Sequence, residues 1–376
     1  MRLSLGGETQ VPTFLHTADI HLDSPFSARF DTKRAELRRN ELRRSVSDMF
    51  DLAKDVDLLL IAGDLFDGSC VSGETISFLK RKFSELPHTK IFIVAGNHDP
   101  FSPGSVYERE DFGDNVHIFS TQGECVEIPE LKTRVYGVSF SSAVCEKTLE
   151  IPKIEKKDGY SDIILLHGDL VSLGGESNYN PIDKNFLENC GGDYVALGHI
   201  HKRSEVKRCG NTYYAYPGPP EGRGFDECGD MGCYIGSVDN GVADVQFKRV
   251  SRRRFFHVLA DVSDAADSIH GAQIAMEESE KLGTADDFCK IILTGRATGL
   301  NIESIQEELS ARLYFAEVYN ETKPEYDVEK LAEQSTLCGE FVRIMQKRIS
   351  ALSGEEKAIA RDAMLLGIEV LLGGDK

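Results

Sequence analysis

Seven side chains that bind metal ions through nitrogen or oxygen occur in the first two hundred or so residues, each at or just after the end of a short apolar run. They are Asp19, His21, Asp64, Asn97, His167, His199 and His201. Seven ligands are too many for one four-coordinate ion, so the set favours two ions that share a carboxylate. No cysteine belongs to the set, and imidazole, carboxylate and amide groups favour manganese, iron or zinc.

The reaction class that best suits two such ions is the hydrolysis of phosphate esters. Two ions about 3.5–4 Å apart can clamp a phosphoryl oxygen, lower the pKa of a bridging water and orient in-line attack. Each motif alone is weak evidence, because Gly-Asp and Gly-Asn dipeptides are common in turns. The indication comes from polar groups at the ends of five separate runs, which core packing does not explain.

The apolar runs that precede these residues have the length and the glycine boundaries of buried strands. They are residues 13–16, 56–62, 90–95, 163–166 and 194–197. Helices are predicted between them at about residues 31–54, 72–86 and 181–189. This alternation predicts an α/β fold with a buried sheet and helices outside. In such folds ligands gather at the carboxyl ends of the strands.

The histidine pair His199 and His201 requires a bend in the chain. Residues two apart on a regular strand point to opposite faces, so both rings can reach one site only where the segment turns. Gly198 is predicted to permit that turn. The pair Asp19 and His21 has the same spacing and needs the same loop geometry just past the end of its strand.

Beyond the last histidine the pattern indicates more sheet and then a smaller α/β region. Strands are predicted at residues 135–140, 213–216, 233–238, 242–250, 255–260 and 289–293. Helices are predicted at about residues 261–282, 302–318, 326–352 and 355–372. With a break at Thr322-Lys323-Pro324, these elements predict a catalytic domain over 1–250, an α/β capping domain over 251–323 and a helical tail over 324–376.

The ordered motifs D-x-H, G-D-x-x-D, G-N-H-D, H-G-D and G-H-x-H, over about residues 11–203, resemble those of the calcineurin-like metallophosphoesterase superfamily. The resemblance implies a four-layer fold in which two packed β-sheets are flanked by helices. It also implies a first metal held by Asp19, His21, Asp64 and His201. The second metal would be held by Asp64, Asn97, His167 and His199, with Asp64 bridging the two.

Two further residues receive roles from the same resemblance. His98 would protonate the leaving oxygen or stabilise the phosphoryl charge without binding metal, and Asp67 would orient it. An imidazole backed by a carboxylate stays aligned and is more easily protonated. Asp99 has two interpretations, support of the metal centre or the cap of a simple turn. Gly68 stands where protein phosphatases of the superfamily carry an arginine, which argues against that activity.

A finer resemblance is to DNA-repair nucleases of the SbcD type, in particular their YhaO-like branch. It rests on the stretch from Ala18 to Phe26, on Gly63-Asp64-Leu65-Phe66-Asp67, and on Tyr216-Pro217-Gly218 followed by Gly222-Arg223. It implies exonuclease or endonuclease action on DNA by a homodimer that works with an SMC-like, SbcC-type coiled-coil ATPase. Two alternatives stay open: a phosphodiesterase or phosphatase for small molecules such as cyclic nucleotides, and a non-catalytic scaffold.

A basic segment close in sequence to Asp19 and His21 is a candidate DNA contact. It contains Arg29, Lys33, Arg34, Arg38, Arg39, Arg43 and Arg44. Arg38 and Arg39 are the predicted phosphate contacts there, together with Arg223 further along the chain. The alternative is a solvated helix face paired with neighbouring carboxylates. With 62 acidic and 43 basic residues the net charge is −19, which disfavours DNA binding over the whole surface.

The remaining features bear on location and partners. Nine scattered cysteines without a C-x-x-C favour a reduced, cytoplasmic protein, with Cys228 and Cys233 a weaker candidate for a metal site. No apolar run approaches a membrane span, and no signal peptide is expected. Apolar residues repeat at heptad spacing in the first tail helix, at Cys338, Val342, Met345, Ile349 and Leu352. Such a seam packs either on the parent fold or against a partner helix.

Overall fold

The computed structural model describes residues 11–27 and 30–373. The strands among them are β1 Thr13–Thr17, β2 Leu58–Ala62, β3 Lys90–Val94, β4 Val116–Ile118, β5 Glu124–Ile128, β6 Thr133–Gly137, β7 Ser161–His167, β8 Tyr194–Gly198, β9 Lys207–Cys209, β10 Thr212–Ala215, β11 Gly232–Asp239, β12 Val242–Arg249, β13 Phe255–Asp261, β14 Phe288–Thr294 and β15 Phe315–Asn320. The α-helices are α1 Thr32–Ala53, α2 Gly73–Ser84, α3 Val106–Arg109, α4 Lys184–Asn189, α5 Ser268–Leu282, α6 Ile302–Arg312, α7 Val328–Ala332, α8 Leu337–Ser350 and α9 Gly354–Leu371.

Two six-stranded mixed sheets form the larger part of the fold. The first has the order β12-β11-β1-β2-β3-β4, and the second has the order β5-β6-β7-β8-β10-β9. Strands β1 to β4 run parallel, as do β6, β7, β8 and β10, whereas β11, β12, β5 and β9 are antiparallel to their neighbours. The predicted α/β fold class, with two sheets flanked by helices, is confirmed.

The sheets pack face to face, and this packing follows from the alternation of side chains along each strand. Leu58 and Leu60 of β2 share one buried cluster with Ile163 and Leu165 of β7. The alternate residues of both sheets are buried as well, which explains why these strands read as continuous apolar runs. On the outer face of the second sheet, Leu187 of α4 packs with the alternate residues of β7 and β8.

The chain divides into two compact units, where three domains were predicted. The first unit extends to Phe256 and also takes in Asp286–Phe288, while the second contains His257–Ala285 and continues from Cys289. The second unit begins at His257 and includes residues of both the predicted cap and the predicted tail, whose separation into two domains stays a prediction. It contains most of the three-stranded sheet β13-β14-β15, whose first residues in β13 and β14 belong to the first unit, and the helices α5 to α9.

Three predicted helices of the second unit were too long. The first begins at Ser268 because Asp267 caps it, accepting a hydrogen bond from the His270 amide. The helix predicted at 302–318 ends at Arg312, and the β-forming residues after it join the sheet as β15. The helix predicted at 326–352 is divided into α7 and α8, because Thr336 caps a new helix by accepting from the Gly339 amide.

The heptad seam of the tail packs on its own chain. Cys338, Val342 and Ile349 are buried and form one cluster with Ala360, Met364 and Ile368. The remaining two seam residues, Met345 and Leu352, lie partly buried against the same cluster. Of the two interpretations, the structure supports internal packing, so this seam is not free to receive a partner helix. Among the described residues, no helix combines the length and hydropathy needed to cross a bilayer.

Candidate metal centre

Five strand ends bring the predicted ligands to one place. Strands β1, β2 and β3 are parallel neighbours, so the loops that follow them lie side by side at one sheet edge. Strands β7 and β8 do the same in the second sheet. The loops after β1 and β2 are joined by backbone hydrogen bonds from Asp19 N to Gly63 O at 3.1 Å and from His21 N to Asp64 O at 2.9 Å. All seven predicted ligands therefore meet where the two sheets face each other.

The backbone of these loops is held in an uncommon conformation. Asp19, His21 and Asp64 have φ values of 52°, 50° and 50°, and His199 has a φ of 106°. Side chains other than glycine rarely adopt this left-handed region, and such residues concentrate at functional sites. The turn that lets His199 and His201 converge is thus made by His199 itself.

Gly198 is needed for a different reason from the one predicted. Its φ is not in the left-handed region, but a Cβ atom there would lie 1.8 Å from the Ala62 carbonyl oxygen. Only glycine lets the end of β8 approach the end of β2 so closely. The residue therefore sets the distance between the two sheets at the site.

Three of the histidines are oriented by hydrogen bonds on the side away from the centre. The Nδ1 atoms of His167, His21 and His201 lie 2.9 Å from the Ala62 carbonyl, 3.0 Å from Asp67 Oδ1 and 2.7 Å from Glu227 Oε1. A carbonyl or carboxylate oxygen can only accept, so each Nδ1 carries the proton. A ring held in this way turns Nε2 toward the centre, as metal-binding histidines do.

Asp64 lies between two groups of nitrogen and oxygen atoms that could bind metal ions. Its Oδ2 atom is 3.7 Å from His21 Nε2 and 3.5 Å from His167 Nε2. On one side, His21 Nε2 and His201 Nε2 are 3.2 Å apart, and on the other, Asn97 Oδ1 is 2.9 Å from His167 Nε2 and 3.0 Å from His199 Nδ1. Asp19 joins both groups, with Oδ1 accepting from the His199 amide at 2.9 Å.

This arrangement fits divalent metal ions. Lone pairs and anionic oxygens that converge within about 4 Å repel one another unless a cation lies among them. Three groups of ligand atoms, each within 4.8 Å of one another, are Asp19 with His21 and His201, His21 with Asp64 and His98, and Asp19 with Asp64 and His167. Within the described part of the chain no cysteine belongs to such a group, and Cys228 lies exposed in a loop while Cys233 is buried on β11.

His98 differs from the other histidines of the centre by its exposure. Its side chain is 45% exposed, with Nδ1 3.3 Å from Asp67 Oδ1. The Asp67 hydrogen bond raises the pKa of His98 above its usual value, against partial burial, which lowers it. Burial alone would raise the pKa of Asp67, but the hydrogen bonds from His21 and His98 outweigh it and hold that pKa below its usual range. Asp67 thus contacts a predicted ligand and His98 together.

Asp99 ties the loops of the centre to one another. It accepts hydrogen bonds from the Gly96 amide at 2.8 Å, the Phe66 amide at 3.0 Å and the Tyr107 hydroxyl at 2.5 Å. Burial and the nearby Asp64 carboxylate raise its pKa to about 6. Asp99 therefore does more than cap its own turn. Its contact with the Phe66 amide joins the loop after β3 to the loop after β2.

Two carboxylates at the centre had no role assigned from the sequence. Glu227 accepts from His201 and from the Arg223 amide, and it is buried. Asp169 lies 3.3 Å from His199 Nε2 through its Oδ1 atom. Asp169 is the last residue of the H-G-D motif, so its position was a usable signal, whereas Glu227 lies in a segment whose path the sequence does not reveal.

The predicted DNA contacts are not equivalent in the structure. Arg38 is 0% exposed, and its guanidinium donates to Glu221 Oε1 at 2.8 Å and to the Gly222 carbonyl at 2.7 Å. The prediction of a phosphate contact at Arg38 is therefore wrong, because the group is sequestered in the interior. Arg39 is half-buried and donates to the Pro25 carbonyl at 2.9 Å. Arg29 lies outside the described residues.

Arg223 lies at the metal centre. Its Nη1 atom is 3.5 Å from Asp67 Oδ1, and its Nε atom is 3.4 Å from Glu227 Oε1. The guanidinium thus lies between the two carboxylates that orient His21 and His201. A phosphate bound at the centre would meet this positive charge beside His98, which keeps Arg223 as a candidate substrate contact.

Comparison with known proteins agrees with this geometry. Residues 12–203 match the calcineurin-like phosphoesterase family. The chain is 32% identical to the metallophosphoesterase YhaO of Bacillus subtilis over 286 residues, which cover 72% of this chain and 68% of that protein. It is 26% identical to the DNA double-strand break repair protein Mre11 of Methanopyrus kandleri, with 65% and 58% covered. It is 24% identical to the SbcD component of the nuclease SbcCD of Escherichia coli K12, with 57% and 62% covered.

Proposed function

Because the chain belongs to the calcineurin-like phosphoesterase family, we propose that this hydrolase is a phosphodiesterase that cleaves DNA at a centre of two divalent metal ions. The observation that carries the proposal is the position of Asp64 Oδ2 between His21 Nε2 at 3.7 Å and His167 Nε2 at 3.5 Å. One carboxylate oxygen that faces two groups of ligands is the arrangement that a shared bridging ligand requires.

The proposed ligand sets are those that the family resemblance implies, and the position of Asp64 between His21 and His167 supports them. One ion would be held by Asp19, His21, Asp64 and His201. The other would be held by Asp64, Asn97, His167 and His199. When bound, the ions supply positive charge that stabilises the phosphoryl group and activates water as the nucleophile. The donor set of imidazole, carboxylate and amide favours manganese, with iron and zinc as alternatives.

His98 is the proposed proton donor to the leaving oxygen. Its Nδ1 atom faces Asp67, so Nε2 is left to face the substrate, and its exposure allows a bound phosphodiester to reach it. Asp67 holds the ring in place and favours its protonated form. Because one of the ligand groups also joins His98 to His21 and Asp64, the metal content of a His98 variant is needed to distinguish a proton donor from a ligand.

The proposal that the substrate is DNA draws on the relatives. Two of them have names that refer to DNA break repair and to a nuclease, and these matches cover 65% and 57% of this chain, whereas the family match covers residues 12–203. The similarity to these relatives therefore extends somewhat beyond the family match. Arg39 and Arg223 remain the proposed DNA contacts from the sequence.

The proposed partners come from the same source. The Escherichia coli relative is by its name one component of the SbcCD nuclease. We propose that this chain likewise acts as a homodimer with an SMC-like, SbcC-type coiled-coil ATPase. Because the heptad seam of α8 packs on its own chain, any such partner binds elsewhere.

The experiment that tests the function compares end-labelled single-stranded and double-stranded DNA with bis-nitrophenyl phosphate, each in the presence of Mn²⁺. We expect degradation of DNA together with hydrolysis of the nitrophenyl ester. Hydrolysis of the ester without any cleavage of DNA would reject the DNA proposal in favour of a phosphodiesterase for small molecules. Failure on both substrates by a metal-loaded protein would instead favour a non-catalytic scaffold.

A further inference from the structure

A cavity of about 440 Å³ lies between α1 and α2, on the outer side of the first unit. We call it the α1–α2 groove and define it by Arg43, Arg44, Ser47, Ser77, Phe78 and Arg81. It also touches one acidic side chain, Glu74. Three arginines against one carboxylate make this groove basic, in a chain that carries 62 acidic and 43 basic residues.

Two of these arginines are not neutralised by the protein. Arg43 is paired with Glu74 and Asp23, but within the described part of the chain neither Arg44 nor Arg81 forms an ion pair with a carboxylate. Both side chains are exposed. The guanidinium of Arg81 lies 5.8 Å from the centre of the Phe78 ring, which holds it against the groove wall. Two uncompensated guanidinium groups on one groove, one of them in contact with an aromatic ring, are suited to an anion that carries more than one phosphate.

The groove is connected to the metal centre through Asp23, two residues after His21. Arg43 Nη2 lies 3.0 Å from Thr75 Oγ1 and 3.5 Å from Asp23 Oδ1. Asp23 in turn accepts from the Ser72 amide at 2.7 Å, just before α2 begins. A chain-like ligand that leaves the centre past Asp23 would therefore meet Arg43, and Arg44 and Arg81 line the same groove.

We propose that the α1–α2 groove binds the sugar-phosphate backbone of a DNA strand whose scissile phosphate lies at the metal centre. This inference rests on the proposed function. It replaces Arg38, the phosphate contact predicted on the basic segment, by Arg44 of the same segment together with Arg81 of α2. The two guanidinium groups pair with phosphates, the Ser47 hydroxyl donates to a phosphate oxygen, and the Phe78 ring supplies an apolar face for sugar or base.

The test measures binding apart from catalysis. EDTA-treated protein is titrated into a fluorescent 30-nucleotide DNA at several salt concentrations, for the parent and for the double variant Arg44→Gln/Arg81→Gln. Loss of two phosphate contacts should weaken binding by at least about tenfold at low salt and reduce the slope of log K against log salt by about 1.4 for a single strand. The variant Arg44→Lys/Arg81→Lys, which keeps both charges, should retain most of the slope.

The matched control is Lys153→Gln/Lys207→Gln, which removes two exposed charges away from the groove and should leave the slope near the parent's. An unchanged slope in Arg44→Gln/Arg81→Gln would overturn the inference. The inference would also be overturned if inorganic phosphate bound at the groove while the double variant left DNA binding unaffected. That result would make the groove a site for a free anion. A parent that binds DNA through the groove but never cleaves it would reject the nuclease proposal and leave the groove assignment standing.

Discussion

Asp64 is the residue on which the proposed centre depends most. Its Oδ2 atom faces His21 and His167, and its Oδ1 atom accepts from the His98 amide at 2.9 Å. The same carboxylate thus has contacts with both ligand groups and with the loop that carries His98. Removing its charge should affect both ions, whereas removing any other ligand should affect mainly one.

We expect Asp64→Asn to bind both ions weakly and to lose at least about 100-fold in turnover, because even residues that only support a ligand cost 10–100-fold. Metal analysis should find about two ions per chain in the parent. Asp158→Asn, which removes an exposed carboxylate, is the matched control. Two tightly bound ions and full activity in Asp64→Asn would contradict the assignment of a shared ligand.

His98→Ala should retain both ions and lose on the order of 10²–10⁴-fold in turnover, because a positioned general acid contributes about that much. The loss should be smaller for nitrophenyl esters, whose leaving group needs no proton. Metal content and turnover on DNA and on bis-nitrophenyl phosphate check this result. Loss of an ion would show that His98 is a ligand, and an equal loss of activity on both substrates would show that it is not the proton donor.

At the scale of elements, a buried histidine links the two sheets beneath the centre. His16 on β1 reaches across to β8, with Nδ1 2.9 Å from the Tyr194 hydroxyl and Nε2 3.1 Å from the Leu197 carbonyl. The carbonyl can only accept, so the neutral ring donates from Nε2 and accepts at Nδ1. Burial lowers the pKa of His16 to about 3, and the Leu197 carbonyl opposes this only in part.

This pKa makes the folded state sensitive to acid. The unfolded histidine has a pKa of about 6.5, so between that value and about 3 the unfolded state binds more protons. The stability that His16 provides is complete above about pH 6.5 and is lost as the pH falls. At pH 5 the loss amounts to about 2 kcal/mol from this group.

We therefore expect His16→Gln, which keeps a donor for Leu197, to show a smaller decrease in unfolding free energy between pH 7.5 and pH 5 than the parent. Urea unfolding at a series of pH values measures the two slopes. The exposed His88→Gln is the control for the loss of one histidine. Parallel pH profiles for the parent and His16→Gln would contradict the role assigned to His16.

At the scale of the whole molecule, the first unit includes a short segment that is distant in sequence. Asp286–Phe288 belongs to it although the chain around this segment belongs to the second unit. Phe288 stacks on Phe255 at 4.4 Å and lies 5.4 Å from Phe30, while Asp287 Oδ2 pairs with Arg254 at 2.8 Å. A chain cut near residue 250 would lose these contacts, so truncation there does not simply remove a cap.

Phe288→Ala should reduce the unfolding free energy by about 3–5 kcal/mol, the usual cost of a large cavity in a packed core. Urea unfolding followed by circular dichroism measures it. Leu259→Ala is the control, because that side chain is 65% exposed on β13, and it should change stability by about 0.5 kcal/mol or less. A loss of less than about 1 kcal/mol in Phe288→Ala would show that the segment is not part of the first unit's core.

The sequence alone determined the chemistry of the centre and the type of fold. The prediction of polar residues at strand ends rests on local patterns, namely apolar runs of four to seven residues, glycine boundaries and the order of the motifs. For that reason the strand ends at which Asp19, Asp64 and the histidines converge could be predicted from the sequence, and so could a buried sheet and the helices α1, α2 and α4, whereas the division into two sheets was implied by the family resemblance.

Tertiary structure alone decided which charges face solvent and which residues support the ligands. Arg38 and Arg44 look alike in a basic helix, but α1 turns Arg38 toward Glu221, a residue 183 positions away, and leaves Arg44 exposed. Glu227 and Asp287 reach their partners for the same reason, through contacts between segments distant along the chain. Such contacts depend on how layers pack, and the periodicity of a single segment carries no information about the residues that will face it.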